Sequence, residues 1–190
     1  MSFFQMSTPI AARRLMLARS GGLVLSGAAV ALLAGKDALA AKAGSTTPSD
    51  VRILNTAIGA ELEAIAAYQL GAESKLLTSP VLSLAVTFQG HHKEHVTLLS
   101  STVAKLGGKA VVAKAKYDFP VDQLKTELDV LKFAARLEQG AVSAYLGAVP
   151  LFANRELAKA AASILGDEAM HWTILRQAIG ESPVPSAFVS

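Results

Sequence analysis

The chain has 190 residues, enough for one domain with a real core plus an extension. Hydrophobic residues make up 52% of it, mostly Ala and Leu with few aromatics, a composition that favours close-packed helices over a β-sandwich. It contains no cysteine, which excludes disulfides, thiolate catalysis and cysteine-ligated iron–sulfur clusters, and leaves Glu, Asp and His as the available metal ligands. The net charge of +3 is concentrated at the start. Of 18 basic and 15 acidic residues, the first 40 positions hold four and one, so 14 of each remain. That near-neutral remainder has no basic patch interleaved with aromatics, and no nucleic-acid partner is expected.

Residues 1–40 read as an export signal. Arg13, Arg14 and Arg19 form a basic region, Gly21 to Gly35 an apolar run, and Ala38 to Ala40 a cleavage site of small residues. The paired arginines resemble a twin-arginine signal, with Ala12 where Ser or Thr is usual. An exported, periplasmic or cell-envelope location follows as the expectation. No other stretch is apolar for long enough to span a bilayer, so membrane attachment is expected only through an uncleaved signal. Residues 41–49 read as a linker, 50–180 as the folded domain and 181–190 as a loose tail.

Four helical patterns fill the domain. The first runs from about Ser49 to Leu77. The second runs from about Val81 to Leu106 and stops at Gly107-Gly108. The third runs from about Val121 to Val149, and the fourth from Asn154, a candidate N-cap, to Ile179. Short connections make helices one and two a hairpin, and three and four another. Between the hairpins, the 14 residues from Gly107 to Pro120 can span ~45 Å when extended. That is about the length of the helices themselves, so the connection can cross the whole bundle.

Each helix carries an apolar stripe at steps of three and four. The stripes are Leu54, Ile58, Glu61, Ile65, Tyr68, Ala72; Val81, Ala85, Phe88, His92, His95, Leu99, Thr102, Leu106; Leu128, Leu131, Ala135, Glu138, Val142, Tyr145, Val149; and Leu157, Ala161, Ile164, Glu168, His171, Leu175, Ile179. Every stripe turns polar near its middle. Buried carboxylates that converge repel one another, and a pair of divalent cations is the simplest compensation. The alternative is that the carboxylates pair with the histidines, or stay protonated beside Tyr68 and Tyr145. The arrangement also repeats internally. Glu61 precedes Tyr68 by seven residues, as Glu138 precedes Tyr145. His92 precedes His95 by three, as Glu168 precedes His171. Glu61 lies 34 residues before His95, and Glu138 lies 33 before His171.

Glu61, Glu138 and Glu168-x-x-His171 resemble the ligand pattern of ferritin-like di-iron and di-manganese carboxylate proteins, in which two helices give one Glu each and two give Glu-x-x-His. The step of seven from Glu to Tyr is similar to rubrerythrin-type helices, and the segment from His91 to Pro120 resembles exported bacterial proteins with a ferritin-like domain. The resemblance covers about Asp50 to Ile179. It implies an all-α, ferritin-like four-helix bundle with Glu61, His92, His95, Glu138, Glu168 and His171 around a di-iron or di-manganese centre, Tyr68 and Tyr145 beside it, and no haem. The departure is His92, which stands where the pattern has a Glu. One negative charge and one bridging oxygen are lost, and a single-metal or asymmetric site gains ground. Imidazole also suits zinc. Glu94 lies about 200° around the helix from His92 and points to solvent. His91, turned about 100° from the stripe, reads as a surface residue flanking the site. Trp172 and Phe88 read as packing residues.

Two functions compete. One is an exported metal-binding protein with oxidative or peroxide-handling activity, consistent with a role in oxidative stress. The other is a metal-free ferritin-like bundle serving stress protection or binding, and a zinc-binding structural bundle sits between the two. The tail is too short and Pro-rich to supply the fifth helix of cage-forming ferritins, which leaves a homodimer open.

Overall fold

The structure, a computed structural model, describes residues 46–189. Four helices form it: α1 (Thr46–Glu73), α2 (Ser79–Lys105), α3 (Glu127–Ala148) and α4 (Arg155–Ala178). Single 3-10 turns lie at Val121–Gln123 and Val149–Leu151, and there is no strand among the described residues. The fold is the expected all-α four-helix bundle. The export signal of residues 1–40 and the start of the linker lie outside the described residues.

Helix boundaries follow local chemistry. α1 begins at Thr46, inside the stretch expected as linker, and stops at Glu73, ahead of the expected Leu77. Lys75 just beyond it takes a left-handed conformation (φ 61°), which a helix cannot continue. α3 begins six residues later than expected, at Glu127. Thr126 closes a capping box there: its hydroxyl accepts the Asp129 N–H, and the Asp129 carboxylate accepts the Thr126 N–H. The expected N-cap of α4 holds, with the Asn154 side chain accepting from Glu156 N–H. At the end of α2 the two glycines do different things. Gly107 takes φ +74°, which terminates the helix, and at Gly108 an added Cβ would come within 2.8 Å of Val51.

Hydrogen bonds at the two ends of the bundle define its topology. At one end Asp50, near the start of α1, is buried and accepts the backbone N–H groups of Ala153 and Asn154 in the α3–α4 turn, at 3.0 and 3.2 Å. Asn55 beside it holds the departing crossover through Lys109 O (3.0 Å) and Val111 N (2.8 Å). At the other end the α1–α2 turn meets the start of α3, where Glu127 accepts the Thr78 N–H. The segment from Leu106 to Thr126 therefore travels the full length of the bundle. Tyr117 stacks on Phe119, which meets Phe133 edge-on and seats the far end of the segment on α3.

Two apolar clusters fill the interior. One, toward the Asp50 end, includes Ile53, Leu54, Ile58, Leu99, Val103, Phe152 and Ile164. The other includes Phe88, Leu131, Ala135, Val142, Trp172 and Leu175. Burying each large aliphatic or aromatic side chain here contributes about 1.5–3 kcal/mol relative to exposure. The stripes are as expected except at Leu128, which is 44% exposed. It lies in the first turn of α3, and the core begins one step later with Val130 and Leu131. Between the two apolar clusters lies a polar layer.

Candidate metal centre

Glu61, His92, Glu138, Glu168 and His171 are each at most 3% exposed, and all come from the middle of a helix. His95 joins them with its side chain 13% exposed. The α-helical spacing accounts for this convergence. His92 and His95, like Glu168 and His171, are three residues apart and so share one face of α2 and α4. Glu61 and Glu138 face them from α1 and α3.

The donor atoms form two overlapping groups. One ligand atom each from Glu61, His92, His95 and Glu168 lie within 4.8 Å of one another, and so do those from His92, Glu138, Glu168 and His171. His92 and Glu168 belong to both. His92 lies between the outer carboxylates, with Nδ1 2.8 Å from Glu61 Oε2 and Nε2 3.3 Å from Glu138 Oε1. His95 Nδ1 is 3.3 Å from Glu61 Oε2 and 3.2 Å from Glu168 Oε1. His171 Nδ1 is 3.5 Å from both Glu138 Oε1 and Glu168 Oε2.

The two tyrosines cross between the hairpins. Tyr68 on α1 donates its hydroxyl to Glu138 on α3, and Tyr145 on α3 donates to Glu61 on α1 at 2.5 Å. Each hairpin thus holds the carboxylate of the other. Burial, and then the facing carboxylate, push both phenols well above their ordinary value, so they stay protonated donors. Phe88 is buried as expected and stacks on the His171 ring with centroids 4.0 Å apart.

Burial disfavours every charge in this layer, yet the histidines are lifted rather than lowered. Carboxylate partners outweigh burial and take His92 to about 11, His95 to about 10 and His171 to about 9. Glu61 and Glu138 move the other way. Burial would raise them, but His92 and His95 beside Glu61, and His171 and His92 beside Glu138, hold them below the usual carboxylate range. Glu168 is the exception, since burial dominates and raises it to about 7. Both Glu168 oxygens and His171 Nδ1 are buried without a hydrogen-bond partner. Nitrogens approach within 3.2–3.5 Å of Glu168, but not along hydrogen-bonding directions.

Unpartnered buried polar atoms are costly, and a cation that displaced the His171 proton and sat between the three would satisfy them all. The donor chemistry, carboxylate oxygen with imidazole nitrogen, suits iron, manganese or zinc. The residues present therefore fit a metal pair.

Two further residues meet this layer from one position off the stripes. His91 Nδ1 lies 2.9 Å from His171 Nε2 and 3.2 Å from Asp167 Oδ2, so His91 is more than a flanking surface residue. Asp167 was not anticipated. The signal was available in the sequence: Gly90-His91-His92-x-x-His95 and Gly166-Asp167-Glu168-x-x-His171 align position by position. Glu94 is exposed, as its place on the helix requires.

The fold and the polar layer together define a ferritin-like bundle with a His/Glu cluster consistent with metal binding. The chain belongs to the ferritin-like domain family, whose model matches residues 49–181. Two solved structures share the fold. A conserved hypothetical protein from Mycobacterium tuberculosis superposes with a TM-score of 0.66 at 23% identity, covering 76% of this chain and 99% of the other. A ferritin-like, di-iron-carboxylate protein from Bacillus anthracis superposes with a TM-score of 0.62 at 18% identity, covering 72% and 99%. No curated protein matches the chain.

Proposed function

We propose that this is an exported ferritin-like metal-binding protein, with an altered dinuclear site that supports oxidative or peroxide-handling chemistry. Glu61, His95 and Glu168 would hold one ion and Glu138, Glu168 and His171 the other, with His92 able to join either one through a single nitrogen. The observation that carries this reading is Glu168. It is shared by both groups, and neither of its buried oxygens has a hydrogen-bond partner. Three carboxylates supply about −3, which two divalent ions more than offset. The solved relative described as a di-iron-carboxylate protein makes iron the first metal to test; manganese and zinc are the others. Export rests on the twin-arginine-like pattern of residues 1–40.

A redox-active pair, when bound, supplies electrons to oxygen or peroxide. The chain's own residues hold the site ready for it. Tyr68 and Tyr145 fix the rotamers of Glu138 and Glu61 by hydrogen bonds from across the bundle. Phe88 clamps the His171 ring. The two apolar clusters exclude water along the bundle axis and leave the polar layer between them.

A metal-free bundle for stress protection is the second reading. What favours it is that Glu61 and Glu138 are already satisfied by tyrosine and histidine. Metal analysis of the protein taken from its native compartment separates the two. About two ions per chain, lost in Glu138→Ala, are expected. A wild-type protein without metal, whose stability is indifferent to chelator, supports the metal-free bundle instead.

A further inference from the structure

The six central side chains leave one set of imidazole nitrogens unused. His171 faces Glu138 and Glu168 with Nδ1, and turns Nε2 outward. That outer nitrogen is 2.9 Å from His91 Nδ1 and 3.3 Å from Asp167 Oδ2, and His91 and Asp167 are 3.2 Å apart. One ligand atom from each of the three lies within 4.8 Å of the others. Exposure rises steadily along this direction. The His171 side chain is 2% exposed, Asp167 21% and His91 41%. The opposite pattern holds along the bundle axis, where apolar clusters cover both sides.

We propose that His91, Asp167 and the outer nitrogen of His171 form a separate divalent-cation site at the rim, through which ions reach the interior centre. The proposal rests on the reading of that centre as metal-binding. Two imidazoles and a carboxylate are a sufficient set to capture a partly hydrated ion of the iron, cobalt or zinc type. The Asp167 charge attracts the ion, and the exposed His91 ring meets it first. A neutral imidazole has a lone pair on only one nitrogen at a time. His171 therefore cannot hold an ion at the rim and another inside while it keeps its proton. The rim site is a way station: its ion must be passed on before the inner position closes through Nδ1. Asp167 has a second role. Its Oδ2 also lies 3.4 Å from His95 Nε2, so one carboxylate orients the outer edges of His95 and His171. His91 has no such contact with His95 in the structure and is the cleaner residue to remove.

Loading of the metal-free full chain with Co2+, followed by its visible absorption in rapid mixing, tests this. His91→Ala should load severalfold more slowly than wild type and reach the wild-type final absorbance. In Glu61→Ala/Glu138→Ala/Glu168→Ala, which removes every inner carboxylate, about one Co2+ per chain should remain, on the outer three-ligand set. Adding His91→Ala should abolish it. Wild-type loading rates in His91→Ala overturn the proposal. So does a residual ion that His91→Ala does not remove. If circular dichroism shows the triple variant unfolded, the loading rate of His91→Ala decides alone. A wild-type chain that binds no Co2+ overturns the interior centre itself, an outcome distinct from normal final loading at an unchanged rate.

Discussion

His92 is the residue that sets this site apart. A carboxylate there would add one negative charge and an oxygen able to join two ions. The imidazole lies between Glu61 and Glu138 instead, with one nitrogen toward each. His92→Glu should therefore stabilise the oxidised state of a bound iron pair, and potentiometric titration should show a lower reduction potential than wild type. The histidines also predict how loading depends on pH. In the metal-free chain His171, His95 and His92 are lifted to about 9, 10 and 11, so at neutral pH they carry protons that a metal must displace. Metal affinity should rise with pH through the neutral range and on toward pH 9. Calorimetry in buffers of different ionisation enthalpy should register up to about three protons released per chain at pH 7. The six central residues were legible because each interrupts an apolar stripe and because the two hairpins repeat them. His91 and Asp167 were not reached by that route, since both lie one position off a stripe, and only aligning the two segments would have singled them out. Following one face of each helix cannot reveal that α2 and α4 bring those neighbouring positions together at the rim.

Among the elements, the hairpins were legible from connection lengths and the crossover from its reach. The start of α3 was misplaced because Val121 to Gln123 forms a separate 3-10 turn, while the signal that matters is Thr126-x-x-Asp129. Thr126→Ala should cost about 1 kcal/mol in urea unfolding, the usual value of a lost N-cap. Asp50 shows a limit of local reading. It is buried because it caps a turn more than a hundred residues away, joining the start of α1 to the α3–α4 connection. No nearby residue announces that role. Asp50→Ala leaves the Ala153 and Asn154 N–H groups without their acceptor and should cost about 2–3 kcal/mol by the same measurement. Leu128 erred in the opposite direction. Its spacing fits the stripe, but it lies in the first turn of α3, ahead of the point where the core begins at Val130 and Leu131.

At the scale of the molecule, the bundle is two similar hairpins that complete each other. The pairing of Tyr68 with Glu138 and of Tyr145 with Glu61 ties them through the polar layer, while apolar packing ties them on either side. The crossover contributes little to that interior. Residues 111–116 are exposed, between an anchor on Asn55 and the aromatic contact with Phe133. Cleaving the chain within this stretch would yield two fragments, and neither would own a complete set of donors. Glu61, His92 and His95 would go with the first piece, and Glu138, Glu168 and His171 with the second. Mixed in solution, the halves would rebuild both four-ligand groups only by reassembling, which would make recovery of the full metal content on a sizing column a readout of their complementation.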